Sequence, residues 1–244
     1  HYGSIPRLLI AWMATEAVMT QRRELELGGS LSAFMRELGL MPTGGRWGTI
    51  PRLKEQSRRL FSSFIQCSYS SDNSNVPIES LQDNNLFSAT SVSTNGLIHE
   101  AIQNMTVVDA ANLWWTPNAN QQSLFTSTVT LSESFFDEII KNPVPVDMRA
   151  LQALKQSPMA LDIYCWITYR MSYLYKTTTI PWESLQAQFG AGYPLTSKGK
   201  ANFKSKFLQH LKKVQIVYPS ACVNDSKNGL MIKPSKTHIP MMKY

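Results

Sequence analysis

The densest set of residues suited to gripping a polyanion lies between Pro194 and Pro234. It carries eight lysines, Lys198, Lys200, Lys204, Lys206, Lys212, Lys213, Lys227 and Lys233, against the single acid Asp225, and Lys236 follows just beyond. Ammonium groups serve phosphates or guanine edges, and side-chain amides can pair bidentately with adenine. A helix is expected over 197–214, because at about 100° per residue Phe203, Phe207, Leu211 and Val214 share one stripe, with Leu208 at its edge. The opposite face then presents Lys198, Asn202, Ser205, Gln209 and Lys213, flanked by Lys206 and Lys212, with Lys200 in the first turn. A merely solvated helix would interleave glutamate; this one has none. A hairpin is expected next, Val217–Cys222 and Leu230–Lys233 about a turn at Lys227-Asn228-Gly229. A basic helix followed by a basic hairpin is the outline of a winged helix-turn-helix. Lys227 and Lys233 would contact phosphates and set orientation without reading sequence.

A second set lies upstream. The turn Met41-Pro-Thr-Gly-Gly-Arg-Trp-Gly48 leads into a helix expected from Thr49 to Cys67. Its buried stripe reads Ile50, Leu53, Leu60, Phe61 and Phe64. Arg52, Glu55, Arg59 and Ser62 are left outward, with Gln56 and Arg58 beside them. Arg46, Arg52, Gln56, Arg58 and Arg59 are the candidate contacts here, on a face of mixed sign. Gly44, Gly45 and Gly48 either let the backbone approach a phosphate or simply make the turn. They form no nucleotide-binding P-loop, since the Lys-Ser/Thr ending is absent.

The elements that must hold these helices repeat. A helix over 4–20 with Ser4 as N-cap, a strand over Arg22–Leu27 and a Ser30-capped helix over Leu31–Leu38, closed by Gly39, lead to the first basic helix. A helix over Ser157–Tyr175, a strand over Thr177–Ile180 and a helix over Pro181–Phe189 lead to the second. At a constant offset of 154, Trp12 meets Trp166, Ser30 meets Ser184, Leu31 meets Leu185, Leu53 meets Phe207, and Arg58-Arg59 meets Lys212-Lys213. Between the two sets, residues 70–85 read as a polar loop, and Leu86–Ser93, Asn104–Thr116 and Ser123–Leu131 as strands of an enlarged wing. Ser132–Lys141 and Asp147–Lys155 read as helices around a linker at Asn142–Pro145. The expected fold is α+β, two tandem winged-helix domains. The N-terminal one spans 1–141 with a loop at 70–100 and the wing at 104–131, and the C-terminal one spans 142–244.

A net charge of +7 over 244 residues favours a polyanionic partner, and no apolar run is long enough to span a membrane. Residues 8–19 are apolar but no cleavage site follows, so no signal peptide is expected. The opening His1 in place of Met reads as a trimmed or partial chain. Cys67, Cys165 and Cys222 lie far apart among apolar neighbours and are expected to be buried free thiols of a reducing compartment. The four histidines are isolated, no Cys-x-x-Cys occurs, and the acids are scattered. No catalytic residue, metal site or cofactor is therefore expected, and the chain does not read as an enzyme. Trp114-Trp115 either stack on single-stranded bases or pack the wing against its domain, the second being preferred.

Four stretches carry a resemblance: YGSIPRLLIAW at 2–12, SLSAFMRELGLMPTGGRWGTIPRLKEQSRRLFSS at 30–63, NLWW at 112–115, and LSESFFDEIIKNPVPVDMRALQALKQSPMALDIYCWITYR at 131–170. In these the chain resembles the plasmid-encoded RepA family of replication initiators. The resemblance implies binding to repeated double-stranded sites in a plasmid origin and local strand opening. It also implies recruitment of host replication proteins, an initiator and a helicase, and a homodimeric form able to repress its own gene. The family's DNA contacts map onto the 46–59 and 197–213 regions. A bacterial cytoplasmic location follows from the same resemblance. The alternative is a winged-helix transcriptional repressor without initiator activity, and a nicking nuclease or primase is a more distant third.

Overall fold

A computed structural model describes residues 3–71, 99–113 and 126–240. Helix and strand are mixed, as expected. α1 (Ile5–Thr20), β1 (Glu24–Glu26), α2 (Leu31–Glu37) and α3 (Thr49–Phe61) come first. β2 (Phe64–Ser71), β3 (His99–Thr106), β4 (Val108–Asn112) and β5 (Thr128–Leu131) follow, then α4 (Glu133–Lys141) and α5 (Met148–Leu154). The last third runs α6 (Pro158–Tyr173), β6 (Thr178–Ile180), α7 (Trp182–Phe189), α8 (Ser197–Val217), β7 (Val223–Ser226) and β8 (Gly229–Ile232).

Two antiparallel three-stranded sheets share one plan. The orders are β1-β5-β4 and β6-β8-β7, so in each the strand nearest the first helix pairs with the last strand. The offset of 154 read from the sequence carries β1 (24–26) directly onto β6 (178–180). Each leading helix also sets a tryptophan edge-on to a phenylalanine of the next short helix. Trp12 lies 4.9 Å from Phe34, and Trp166 lies 5.5 Å from Phe189. The first set differs by an inserted hairpin, β2–β3, paired over Phe64↔Thr106 to Ser71↔His99. The two sets meet through α1, α5 and α6, and buried residues of both join one core. Arg7 of α1 donates to both carboxylate oxygens of Asp162 on α6, at 2.6 and 2.7 Å.

Several expected boundaries move, each for a physical reason. α3 stops at Phe61 rather than Cys67, because Ser63-Phe64-Ile65-Gln66 alternates and finds a strand partner in 99–106. Phe64, expected in the buried stripe, is therefore 78% exposed on a strand. The expected strand over 104–116 divides at buried Val107, whose carbonyl accepts from Ser132 N, so that β3 faces β2 while β4 faces β5. α8 runs on to Val217 because its buried stripe continues from Val214 to the capping Tyr218. The first hairpin strand is accordingly 223–226 and not 217–222, with Pro219-Ser220 in the turn between. Ser30 caps α2 by accepting from Ala33 N, but Ser4 is already helical and makes no side-chain cap. Cys222 is exposed, contrary to expectation, whereas Cys165 is half-buried and burial pushes its thiol up to about 12. The expected features at 72–98, including the Leu86–Ser93 strand, and Trp114, Trp115 and the turn at 117–121 lie outside the described residues.

Phe207 is fully buried against Trp182, Phe189 and Phe203, with ring centroids 5.5–5.8 Å apart. Phe207→Ala is expected to lower stability by about 3–5 kcal/mol, read as a fall in the denaturant midpoint. A loss below about 1 kcal/mol would mean that this aromatic cluster does not hold α8 in place.

Candidate nucleic-acid interface

α8 is placed by its buried stripe. Phe203, Phe207, Leu211 and Val214 are at most 3% exposed, and this points Lys198, Asn202, Ser205, Lys206, Gln209, Lys212 and Lys213 into solvent. The turn ahead of it is built from the preceding helix. Buried Gln186 of α7 donates to the carbonyls of Tyr193 and Pro194, at 3.3 and 3.0 Å. Thr196 caps α8 by accepting from Gly199 N at 3.1 Å. Gly199 is required there, since a Cβ would stand 2.0 Å from the Pro194 carbonyl oxygen.

The cations on this face are not equivalent. Lys200 is paired with Glu183 and holds that carboxyl below its usual range. Lys204 pairs with Asp225 of β7 at 2.8 Å, and its ammonium also lies 4.8 Å from the Trp182 ring centroid. Lys198, Lys212, Lys213, Lys227 and Lys233 form no ion pair among the described residues. Lys206 approaches the Gln209 amide oxygen, at 3.4 Å, and forms no ion pair among the described residues. Burial first, then the charges of Lys213 and Lys206, pull the His210 imidazole below its ordinary pKa. The tight turn of the β7–β8 hairpin carries exposed Lys227 and Asn228, and Lys233 closes its far end.

α3 is preceded by a turn that hydrogen-bonds to itself. Thr43 and Thr49 exchange backbone-to-hydroxyl bonds of 2.9 Å each, and Thr49 also donates to the Met41 carbonyl. The Ile50 amide donates to Thr43 O at 3.1 Å. Gly48 packs so closely that a Cβ would stand 2.3 Å from the Thr43 and Gly44 oxygens. Gly48, and Gly45 with its φ of 78°, therefore serve to make the turn. Arg46 stacks on Trp47 at 5.2 Å, and both are exposed. Arg52 is exposed and forms no ion pair among the described residues. Glu55 binds Arg59 at 2.8 Å and Arg58 at 3.5 Å, so those two arginines are partly neutralised, and Gln56 is half-buried.

Leu53 and Leu60 are the buried anchors that set this rotation, with 0% and 1% exposure. The candidate contacts thus form two groups, Arg46 to Arg59 on α3 and its turn, and Lys198 to Lys233 on α8 and its hairpin. Sequence reasoning missed the Lys204–Asp225 and Lys200–Glu183 pairs, which depend on which turn lies beside which helix. It also passed over Trp47 and Leu195, whose exposure follows from turn geometry. Among the described residues no group of three His, Cys, Asp or Glu is arranged to hold a metal ion, and no helix is long and apolar enough to cross a membrane.

Comparison with curated proteins gives no match. Two solved structures are similar to the chain in fold. The crystal structure of RctB domains 2–3 has 12% identity and a TM-score of 0.53, covering 94% of this chain and 81% of that one. The selenomethionine form of RctB domains 2 and 3 has 10% identity and a TM-score of 0.57, covering 95% and 81%. The family model described as plasmid-encoded RepA protein matches residues 1–101 and 79–184, which include α3 and end before α8. As those matches span well over half of the 244 residues, the chain belongs to the plasmid-encoded RepA family of replication initiators.

Proposed function

We propose that this chain initiates plasmid replication by binding repeated origin sites as double-stranded DNA through two winged-helix units. The first unit is α1, β1, α2, α3, β4 and β5, with β2–β3 inserted, and the second is α6, β6, α7, α8, β7 and β8. Division near 141–142 makes each unit a separate reader, with α4 and α5 on either side of the join. The observation that carries the reading is the outer face of α8, where lysines and amides stand without an acid, beside a hairpin bearing Lys227 and Lys233. The identical strand order of the two sheets supports treating α3 as its counterpart.

In this mechanism binding energy does the work and no bond is made or broken. The two helices enter successive major grooves about 10 base pairs apart, on one side of the duplex. Lys227 and Lys233 hold phosphates and fix register; Asn202 and Gln209 read base edges. Two helices held in successive grooves strain the intervening duplex, which favours opening of adjacent origin DNA and entry of host replication proteins. A homodimer of the same chain would compete for the origin and repress its own gene. Permanganate probing of supercoiled origin plasmid separates initiator from repressor: unpaired bases appear with the initiator when host initiator is supplied, and a simple repressor leaves them paired.

Two substitutions test the assignment of faces. Asn202→Ala is expected to lose discrimination at one base pair, worth about 1–3 kcal/mol, measured as the ratio of specific to random duplex affinity. An unchanged ratio would remove Asn202 from the reading face. Lys227→Ala is expected to weaken every duplex equally and to reduce the slope of log affinity against log salt by about 0.9. A wild-type slope would place that ammonium away from phosphate.

A further inference from the structure

Each helix read as a DNA contact is preceded by one large apolar side chain in the same position. Trp47 and Leu195 both stand immediately before the N-cap residue, Gly48 for α3 and Thr196 for α8. An apolar residue at that position ordinarily packs against an apolar side chain four residues into its own helix. Here those partners are Arg52 and Lys200, both cations. Trp47 is accordingly 84% exposed and Leu195 is 92% exposed. Neither is a loose ornament: the Thr43–Thr49 bonds hold one turn, and the Gln186 amide holds the other. The same element therefore recurs twice, a rigid turn that displays an apolar group next to the first-turn cations.

The N-terminal residues of a recognition helix are the ones that reach base edges in the major groove. The apolar feature there is the thymine C5-methyl group, and an aromatic or aliphatic side chain is its complement. We infer that Trp47 and Leu195 each contact a thymine methyl, so that the recognised site carries a thymine at a fixed place in each half. This rests on the proposed double-stranded DNA reading. Arg46 lies over the Trp47 indole, 5.2 Å from its centroid, and the side chain nevertheless keeps most of its surface exposed among the described residues.

Replacing thymidine with deoxyuridine removes only that methyl. The preferred duplex for the full chain is first selected from a randomised library, and each thymidine is then replaced singly. Deoxyuridine at one position in each half is expected to weaken wild-type binding about fourfold, the effect of one buried methyl. Trp47→Ala is expected to weaken binding by a similar factor and to become indifferent to deoxyuridine at one position, and Leu195→Ala at the other. Both side chains are exposed, so an unchanged thermal midpoint serves as the control for folding. If Trp47→Ala and Leu195→Ala bind as wild type while Arg52→Ala and Lys213→Ala lose affinity, this inference falls and the DNA reading stands. If all four variants bind the duplex as wild type does, the DNA reading falls as well.

Discussion

The rotation of α8 about its own axis follows from one contact, the insertion of Phe207 between Trp182 and Phe189 of α7. Edge-on aromatic pairs contribute about 0.5–1.5 kcal/mol each beyond the area they bury, and two converge on this ring, with Trp182 and with Phe189. With Phe207 fixed, every other residue of the helix has its direction assigned. Leu211 and Val214 continue inward, and the lysines and amides have nowhere to go but out. α3 solves the same problem with less: Leu53 and Leu60 are fully buried, and the ring that its own helix adds, Phe61, is only half-buried against the core. Its outer face is also the more mixed one, through Glu55.

The first half does not hold its helix alone. α2 has seven residues, too few to be stable by itself. Carbonyls at its C-terminal end, left over by helix geometry, are satisfied from the second half. Gln152 of α5 donates to Glu37 O at 2.8 Å, and Lys155 donates to Gly39 O. Trp12 donates to the Glu37 carboxylate from the other side, at 2.6 Å. Since the turn at 41–48 leaves directly from this end of α2, α5 helps to set where α3 begins. The bidentate Arg7–Asp162 pair works in the same sense, fixing α1 against α6 with a planar fork that tolerates little rotation.

How much of this was legible beforehand depends on the range of the interaction. The buried stripe of α8 and its solvent face are local periodicities, and Phe203, Phe207, Leu211 and Val214 were readable from spacing alone. The repeat of β1 in β6 was readable too, because the two strands sit in register at one offset. The end of α3 was not, because Phe64 and Ile65 satisfy a helical period as well as an alternating one, and only the partner strand at 99–106 decides. The start of the hairpin was misjudged for the complementary reason: Val217 and Tyr218 suit a strand, but Tyr218 is captured by Tyr164 and His238 at the end of the helix. Ion pairs such as Lys204–Asp225 join residues whose proximity is a product of tertiary packing, and charge counting treated those lysines as free.

That last pair has a bearing on how firmly a ligand could be held. Lys204 reaches from α8 to Asp225 on the hairpin, and Gln215 of the same helix donates to Val223 O at 2.7 Å. Helix and hairpin are thus fastened at two points on the same strand, β7, before any partner arrives. Docking a flexible hairpin would cost side-chain and loop ordering at the moment of association. A unit fastened in advance has already met that cost during folding, so its complexes gain lifetime rather than speed of formation. The lysine that looks lost to the outer face acts instead as preorganisation of everything beside it.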